Sequence, residues 1–226
     1  MYAPPDNRPT SQTESVEGRL RSCAIVPVIV IDDVRHAEPL AETLSTAGLR
    51  CAEITLRTDA AIGALGAIAR HGGLLAGAGT VLAPEQIEPC LEAGAQFIVS
   101  PGYDPQIIEC CQRMGVPVLP GTATAGEVLR ARRDGLSAVK FFPAEQIGGL
   151  AALTAIAAAI PGIAFMPTGG VDDENAAAYL ASPRVLAVGG GWIAPPGLIR
   201  DGAWDEIRAR AARAAEIASL APGRAS

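Results

Sequence analysis

Ala138-Val139-Lys140-Phe141-Phe142-Pro143-Ala144-Glu145 is a short apolar run that carries the only lysine of a 226-residue chain. A helical pattern over 124–134 precedes it and stops at Asp134-Gly135, and a second pattern over 149–160 follows. A continuous apolar run between two longer 3.6-periodic stretches reads as a strand covered on both faces. Working outward in both directions, the same unit recurs. Strand-like runs fall at 23–31, 50–56, 74–77, 96–100, 116–119, 138–142, 164–167 and 185–188, and helical patterns at 34–46, 59–71, 84–93, 105–114, 124–134, 149–160, 173–181 and 204–220. Glycines close many of the helices (Gly48, Gly72, Gly94, Gly115, Gly135), where a left-handed cap is wanted, and Pro84 and Pro105 open two of them. Eight β-then-α units predict an α/β fold, a single-domain (β/α)8 TIM barrel over residues 22–226. A polar, proline-rich leader over 1–21, disordered or weakly helical, precedes it. The alternative is an open, doubly wound sheet with miscounted strands.

Composition narrows the function. A net charge of −6 argues against nucleic acid as a partner, and 4% aromatic residues provide no stacking platform for bases. No stretch is long and apolar enough for a membrane span, and the leader lacks the apolar core of a signal peptide. Five cysteines without a Cys-x-x-Cys pair read as reduced, mostly buried thiols of a cytoplasmic protein. No metal site is expected. His36 and His71 fall on separate helices, and Asp32-Asp33 and Asp172-Asp173 read as helix N-caps.

A lysine inside a buried strand loses the hydration of its charge, which favours the neutral amine, a nucleophile toward carbonyl carbon. The bland alternative is a snorkelling side chain that reaches a surface carboxylate. Polar residues gather just after the strand runs, the end at which barrels of this type carry their chemistry. Glu53, Thr55 and Arg57 alternate along the second run and so share a side. Glu53 beside Lys140 supplies a proton-transfer carboxyl to an amine, or else the two form a self-neutralising ion pair. Arg57 offers a planar fork to a carboxylate, or pairs with Asp59; Thr80 donates a hydroxyl to the same anion, or caps the next helix. Thr168-Gly169-Gly170 and Gly189-Gly190-Gly191 follow the seventh and eighth runs, where backbone N–H groups and a short helix N-terminus hold phosphate in many barrels.

Glu53-Ile54-Thr55-Leu56-Arg57-Thr58, Gly77-Ala78-Gly79-Thr80-Val81-Leu82, Ser100-Pro101-Gly102, Val139-Lys140-Phe141-Phe142-Pro143-Ala144-Glu145 and Pro167-Thr168-Gly169-Gly170-Val171 resemble, in order, the motifs of the 2-keto-3-deoxy-6-phosphogluconate (KDPG) / 4-hydroxy-2-oxoglutarate (KHG) aldolases. The resemblance runs from about residue 25 to 217. It implies a class I, cofactor-independent aldolase, commonly a homotrimer, that cleaves KDPG to pyruvate and glyceraldehyde 3-phosphate. Lys140 matches the Schiff-base lysine and Glu53 the acid/base. Arg57 and Thr80 match the groups at the pyruvate carboxylate, and Pro101 and Phe142 the site wall. Thr168, Gly169, Gly170, Gly189 and Gly190 match the phosphate end. The family commonly reads Gly-Gly-Ser-Trp where this chain has Gly189-Gly190-Gly191-Trp192, so one phosphate-binding hydroxyl is missing. The same imine chemistry on 4-hydroxy-2-oxoglutarate, a phosphorylated galactonate analogue or oxaloacetate is the near alternative. A phosphate-binding barrel isomerase or synthase without covalent catalysis is a more distant one, and a non-enzymatic binding module the most distant.

Overall fold

The computed structural model describes residues 15–221. Its strands are β1 (Ile25–Ile29), β2 (Cys51–Thr55), β3 (Leu75–Gly79), β4 (Phe97–Val99), β5 (Val118–Leu119), β6 (Gly121–Thr122), β7 (Ala138–Phe141), β8 (Ala164–Pro167) and β9 (Val188–Gly190). Its helices are α1 (Val16–Cys23), α2 (Ala37–Thr46), α3 (Ala61–His71), α4 (Ile87–Glu92), α5 (Pro105–Met114), α6 (Ala125–Arg133), α7 (Gly149–Ala159), α8 (Ala176–Leu180), α9 (Pro196–Arg200) and α10 (Trp204–Ser219).

Every ladder is parallel. One sheet runs β5-β4-β3-β2-β1-β9 and the other β6-β7-β8. Between β5 and β6 stands Pro120, which has no N–H to give the ladder, so one barrel strand is split into two halves. Its carbonyl still accepts from Lys140 N at 3.0 Å, which keeps the neighbouring strand in register. On the other side, isolated bridges Phe165↔Val185 and Thr168↔Gly189 join β8 to β9 and complete the ring.

Two sequence expectations shift. The eighth strand is expected at 185–188, but Val185 makes only an isolated bridge, and the ladder to β1 starts at Val188 and runs on through Gly189 and Gly190. Hydrophobic patterning cannot register residues without a side chain, so the glycines expected just past this strand lie within it. The second shift concerns Asp32. Asp33 caps the turn at Val34–His36 by accepting from Arg35 N, and Asp172 accepts from the N–H groups of Glu174 and Asn175. Asp32 instead pairs with Arg200 of α9 at 3.1 Å.

Strand side chains divide by parity. Ala52, Ile54, Val139, Phe141 and Phe165 face the helices, within the large outer core. Val26, Cys51, Leu75, Phe97, Leu119, Ala138 and Met166 fill the barrel's interior. Two glycines make that interior possible. A Cβ on Gly77 would lie 2.2 Å from the Phe97 ring, and one on Gly121 would lie 2.0 Å from the Pro101 carbonyl oxygen. None of the five cysteines is in a disulfide, and burial pushes the Cys90 and Cys111 thiols up to about 11 and about 12. Among the described residues, no helix is long and apolar enough to cross a membrane.

Residues 1–14 of the leader lie outside the described residues; the rest forms α1. Ser15 caps it by accepting from Gly18 N at 3.1 Å. Leu20 is fully buried among the inward-facing residues of the strands, and Arg19 Nη1 donates to Gln96 Oε1 at 2.8 Å. Helix α1 therefore closes the N-terminal end of the barrel as part of its core. Leu20→Ala should cost about 2–5 kcal/mol in urea denaturation, and Ser15→Ala about 1 kcal/mol. A loss below about 0.5 kcal/mol for Leu20→Ala would show that α1 is not part of the cooperative unit.

Candidate active site

Lys140 lies centrally on β7, opposite Gly121 on one side and Met166 on the other. Parity turns Lys140 inward with Ala138, while Val139 and Phe141 turn out. Its side chain is only 6% exposed. Glu53 occupies the middle of β2, opposite Val28 and Gly77, and is fully buried. The two meet across the barrel, with Lys140 Nζ donating to Glu53 Oε1 at 3.2 Å. Glu53 Oε2 is buried and has no hydrogen-bond partner among the described residues. A buried carboxylate oxygen with no donor has lost its hydration without compensation, which is a marker of a place meant for another molecule.

Gly79 is what lets Glu53 sit there. A Cβ at that position would fall 2.2 Å from Glu53 Oε1. The Phe142 ring lies on the other side of the amine, 5.4 Å from Nζ to its centroid. Pro101 enters through the Ser100-Pro101-Gly102 turn, which is fixed by Ser100 Oγ donating to Gly102 O at 2.5 Å. Its carbonyl packs on Gly121, the residue opposite Lys140.

Thr80 follows β3 with φ +57°, a left-handed conformation rare for a branched residue and characteristic of functional sites. Its hydroxyl accepts from Arg57 Nε at 3.4 Å and does not cap the next helix. There Gln86 Oε1 takes the Leu82 and Ala83 N–H groups. Among the described residues no ion pair joins Arg57 to Asp59. Arg57 also lines an open cleft of about 500 Å³ with Leu56, Thr58, Asp59, Ile62 and Pro89. Neither Lys140 nor Glu53 lines this cleft.

The glycine end is built on the same rim. Thr168 is buried, and a Cβ on Gly189 would lie 2.3 Å from its Oγ1. Gly169 and Gly170 take φ +94° and +76°, the left-handed region that glycine enters freely. The Trp192 ring covers Gly190, where a Cβ would lie 1.6 Å from Cζ3. Arg210 of α10 holds that tryptophan's carbonyl at 3.0 Å. Gly191 is exposed and open, with only Val28 O at 3.9 Å from an added Cβ.

Lys140, Glu53 and Phe142 are thus brought into contact, Arg57 with Thr80, Pro101 with Gly121, and Thr168 with Gly189. Two residues the sequence reading left unassigned join them. Glu145, in the turn after β7, accepts a short hydrogen bond from the Tyr179 hydroxyl of α8. Burial, together with that bond and the carboxylate's charge, pushes the phenol's pKa well above its usual range. Trp192 is the other. Glu145 is visible in the lysine motif, whereas nothing in the sequence connects it with Tyr179.

Comparison with known proteins identifies the family. The family model for KDPG and KHG aldolase matches residues 16–210. The 2-dehydro-3-deoxy-phosphogluconate aldolase of Treponema pallidum is 43% identical over 202 residues, 89% of this chain and 96% of its own. The KHG/KDPG aldolase of Escherichia coli is 41% identical over 207 residues, 91% of this chain and 97% of its own. The crystal structure of the Legionella pneumophila KDPG aldolase, with pyruvate captured as a covalent carbinolamine, gives a TM-score of 0.84 at 36% identity, covering 89% of this chain and 98% of that one. With near full-length matches in sequence and in fold, this chain belongs to the KDPG and KHG aldolase family of carbon–carbon lyases.

Proposed function

We propose that this chain is a class I aldolase that forms an imine on Lys140 and cleaves 2-keto-3-deoxy-6-phosphogluconate to pyruvate and glyceraldehyde 3-phosphate. One observation carries the reading: a buried amine 3.2 Å from a buried carboxylate whose second oxygen has no hydrogen-bond partner among the described residues. The names of the relatives support the substrate, and the pyruvate carbinolamine in the Legionella enzyme supports the chemistry.

In this mechanism Lys140 passes a proton to Glu53 across their 3.2 Å contact, and the amine so freed adds to the C2 ketone of the substrate. Glu53 carries protons, directly or through one water, as the carbinolamine loses its hydroxyl and becomes an iminium. The C4 hydroxyl then gives its proton to Glu53. The C3–C4 bond breaks, and its electron pair moves into the iminium. The aldehyde departs, the enamine is protonated at C3, and water adds at C2 to release pyruvate and restore the amine. The electron sink is the iminium, so the cleavage step calls on no cofactor. The Phe142 ring beside Nζ suits a cationic nitrogen through its negative face.

Arg57, oriented by Thr80, would hold the substrate carboxylate and so fix C2 against the amine, the kind of positioning that lowers a barrier by several kcal/mol. Thr168, Gly169, Gly170, Gly189 and Gly190 would take the phosphate end through hydroxyl and backbone N–H groups. The open position of Gly191 favours a second reading, in which an unphosphorylated 2-keto-4-hydroxy acid such as 4-hydroxy-2-oxoglutarate is also accepted. We place the enzyme in the cytoplasm as a homotrimer, the assembly the family resemblance implies. Exposed Ile62 and Leu82, near the cleft beside Arg57, are apolar surface that a partner copy would cover.

Three outcomes are expected. Borohydride reduction with pyruvate should place a pyruvyl adduct on Lys140, the only lysine, and Lys140→Arg should lose both the adduct and turnover while remaining folded. A folded wild-type protein that gives no adduct would end the imine reading and favour a phosphate-binding isomerase or synthase. Gly191→Ser should shift preference toward the phosphorylated substrate by about 1–2 kcal/mol, roughly 5- to 30-fold in relative kcat/KM. An unchanged ratio would show that this loop does not touch phosphate. Sedimentation velocity should give a particle of three 23.1-kDa chains, and a monomer at micromolar concentration would remove the trimer.

A further inference from the structure

The turn that follows the lysine strand is tied to the glycine corner that follows β8. Ala144 N donates to Thr168 O at 2.8 Å and Glu145 N to Gly169 O at 3.1 Å. The stem of Glu145 then lies directly against Gly170, where an added Cβ would meet Glu145 Cβ at 2.6 Å and Cγ at 2.8 Å. Beyond the stem, the carboxylate is held by the Tyr179 hydroxyl, and Tyr179 itself is 1% exposed in the outer core. Gly149 leaves room for this contact, since its Cβ would lie 3.2 Å from Glu145 Oε1 and 3.4 Å from the Tyr179 hydroxyl oxygen. From the far side, Asn175 Nδ2 donates to Gly170 O at 2.9 Å while its Oδ1 accepts from Asp172 N at 3.0 Å. The corner is thus clamped on its carbonyls and packed from beneath, while the Gly170 and Val171 N–H groups have no hydrogen-bond partner among the described residues.

We propose that Glu145 and Tyr179 are positioning residues for the substrate's distal phosphate: Tyr179 fixes the Glu145 side chain, and Glu145 fixes the left-handed Gly169-Gly170 corner so that its N–H groups meet the anion. The inference rests on the aldolase reading and adds two residues to it. Glu145 acts through the backbone and touches no reacting atom. A glycine corner with both φ values positive has many conformations open to it when unsupported, and each bound phosphate would have to order it. The buried tyrosine removes that cost in advance. The same segment therefore sets both ends of the substrate, with Lys140 at the ketone and Glu145, five residues on, at the phosphate.

The test compares Tyr179→Phe, Glu145→Ala and Glu145→Gln with wild type, using KDPG, an unphosphorylated 2-keto-4-hydroxy acid, and borohydride trapping with pyruvate. Tyr179→Phe keeps the buried ring and removes only the hydroxyl. Tyr179→Phe and Glu145→Ala should raise KM for KDPG about 10-fold, with kcat, KM for the unphosphorylated acid and pyruvate trapping within about twofold of wild type. Glu145→Gln, whose amide oxygen still accepts from the phenol, should stay near wild type. Unchanged KM for KDPG in both damaging variants overturns the inference. So does a parallel loss on both substrates and in trapping, which would mark the pair as generally structural. Wild-type protein that traps no pyruvate would remove the aldolase reading itself, whereas normal trapping with unchanged KM removes this inference alone.

Discussion

The contact between Lys140 and Glu53 is the constraint around which the upper half of this barrel is built. Two opposite charges have been taken out of water and placed 3.2 Å apart. Such a pair adds little net stability, because desolvation offsets most of its attraction, yet removing one partner leaves a costly buried charge. The neighbouring residues follow from it. Gly79 is required because any side chain there would occupy the carboxylate's position, and Gly121, opposite the lysine, lets the Pro101 backbone close down on the same layer. Where an ordinary barrel layer would interdigitate four bulky side chains, this one has two charged groups and glycines. Packing has been traded for reserved space.

Below the pair the interior is apolar, with Phe97 lying over Gly77 and Leu20 of α1 sealing the layer beneath. An apolar floor lets the rim carry a carboxylate oxygen without a hydrogen-bond partner among the described residues, and a left-handed threonine, without unfolding the domain. The rim is itself cross-braced, since the turn after β7 holds the turn after β8 by backbone hydrogen bonds. The Lys-Phe-Phe-Pro-Ala-Glu segment thus links the amine to the glycine corner through a few consecutive residues.

Much of this was legible in the sequence, for identifiable reasons. Helices α5 and α6 are read almost to the residue because Pro105, Gly115 and Gly135 mark their ends by chemistry that is local. The meeting of Lys140 with Glu53 is legible because strand parity and a barrel's polarity together fix which way both point. Other features were not. The last strand is mostly glycine, and the strand between β4 and β7 is broken by Pro120, so hydrophobic pattern misplaces the first and shortens the second. Helix α9 spans five residues, Pro196–Arg200, too few for a helical period to show. That Thr80 takes φ +57° and accepts from Arg57, and does not cap the next helix, is a matter of backbone conformation that residue type does not reveal. Tyr179 lies 34 residues from Glu145 and meets it only because α8 packs behind the turn after β7.

The sealed floor has a kinetic meaning. Leu20 of α1 packs among the inward-facing strand residues and fills the end of the chamber opposite the rim. The amine lies deep and the glycine corner near the opening, so for the proposed chemistry the two products are stacked rather than side by side. The aldehyde is the outer piece and is free once the carbon bond parts, while the three-carbon piece stays bonded to the lysine beneath it. Departure is therefore ordered by architecture: aldehyde first, pyruvate second. In the synthetic direction the queue reverses, and an aldehyde that arrives before pyruvate finds no enamine waiting.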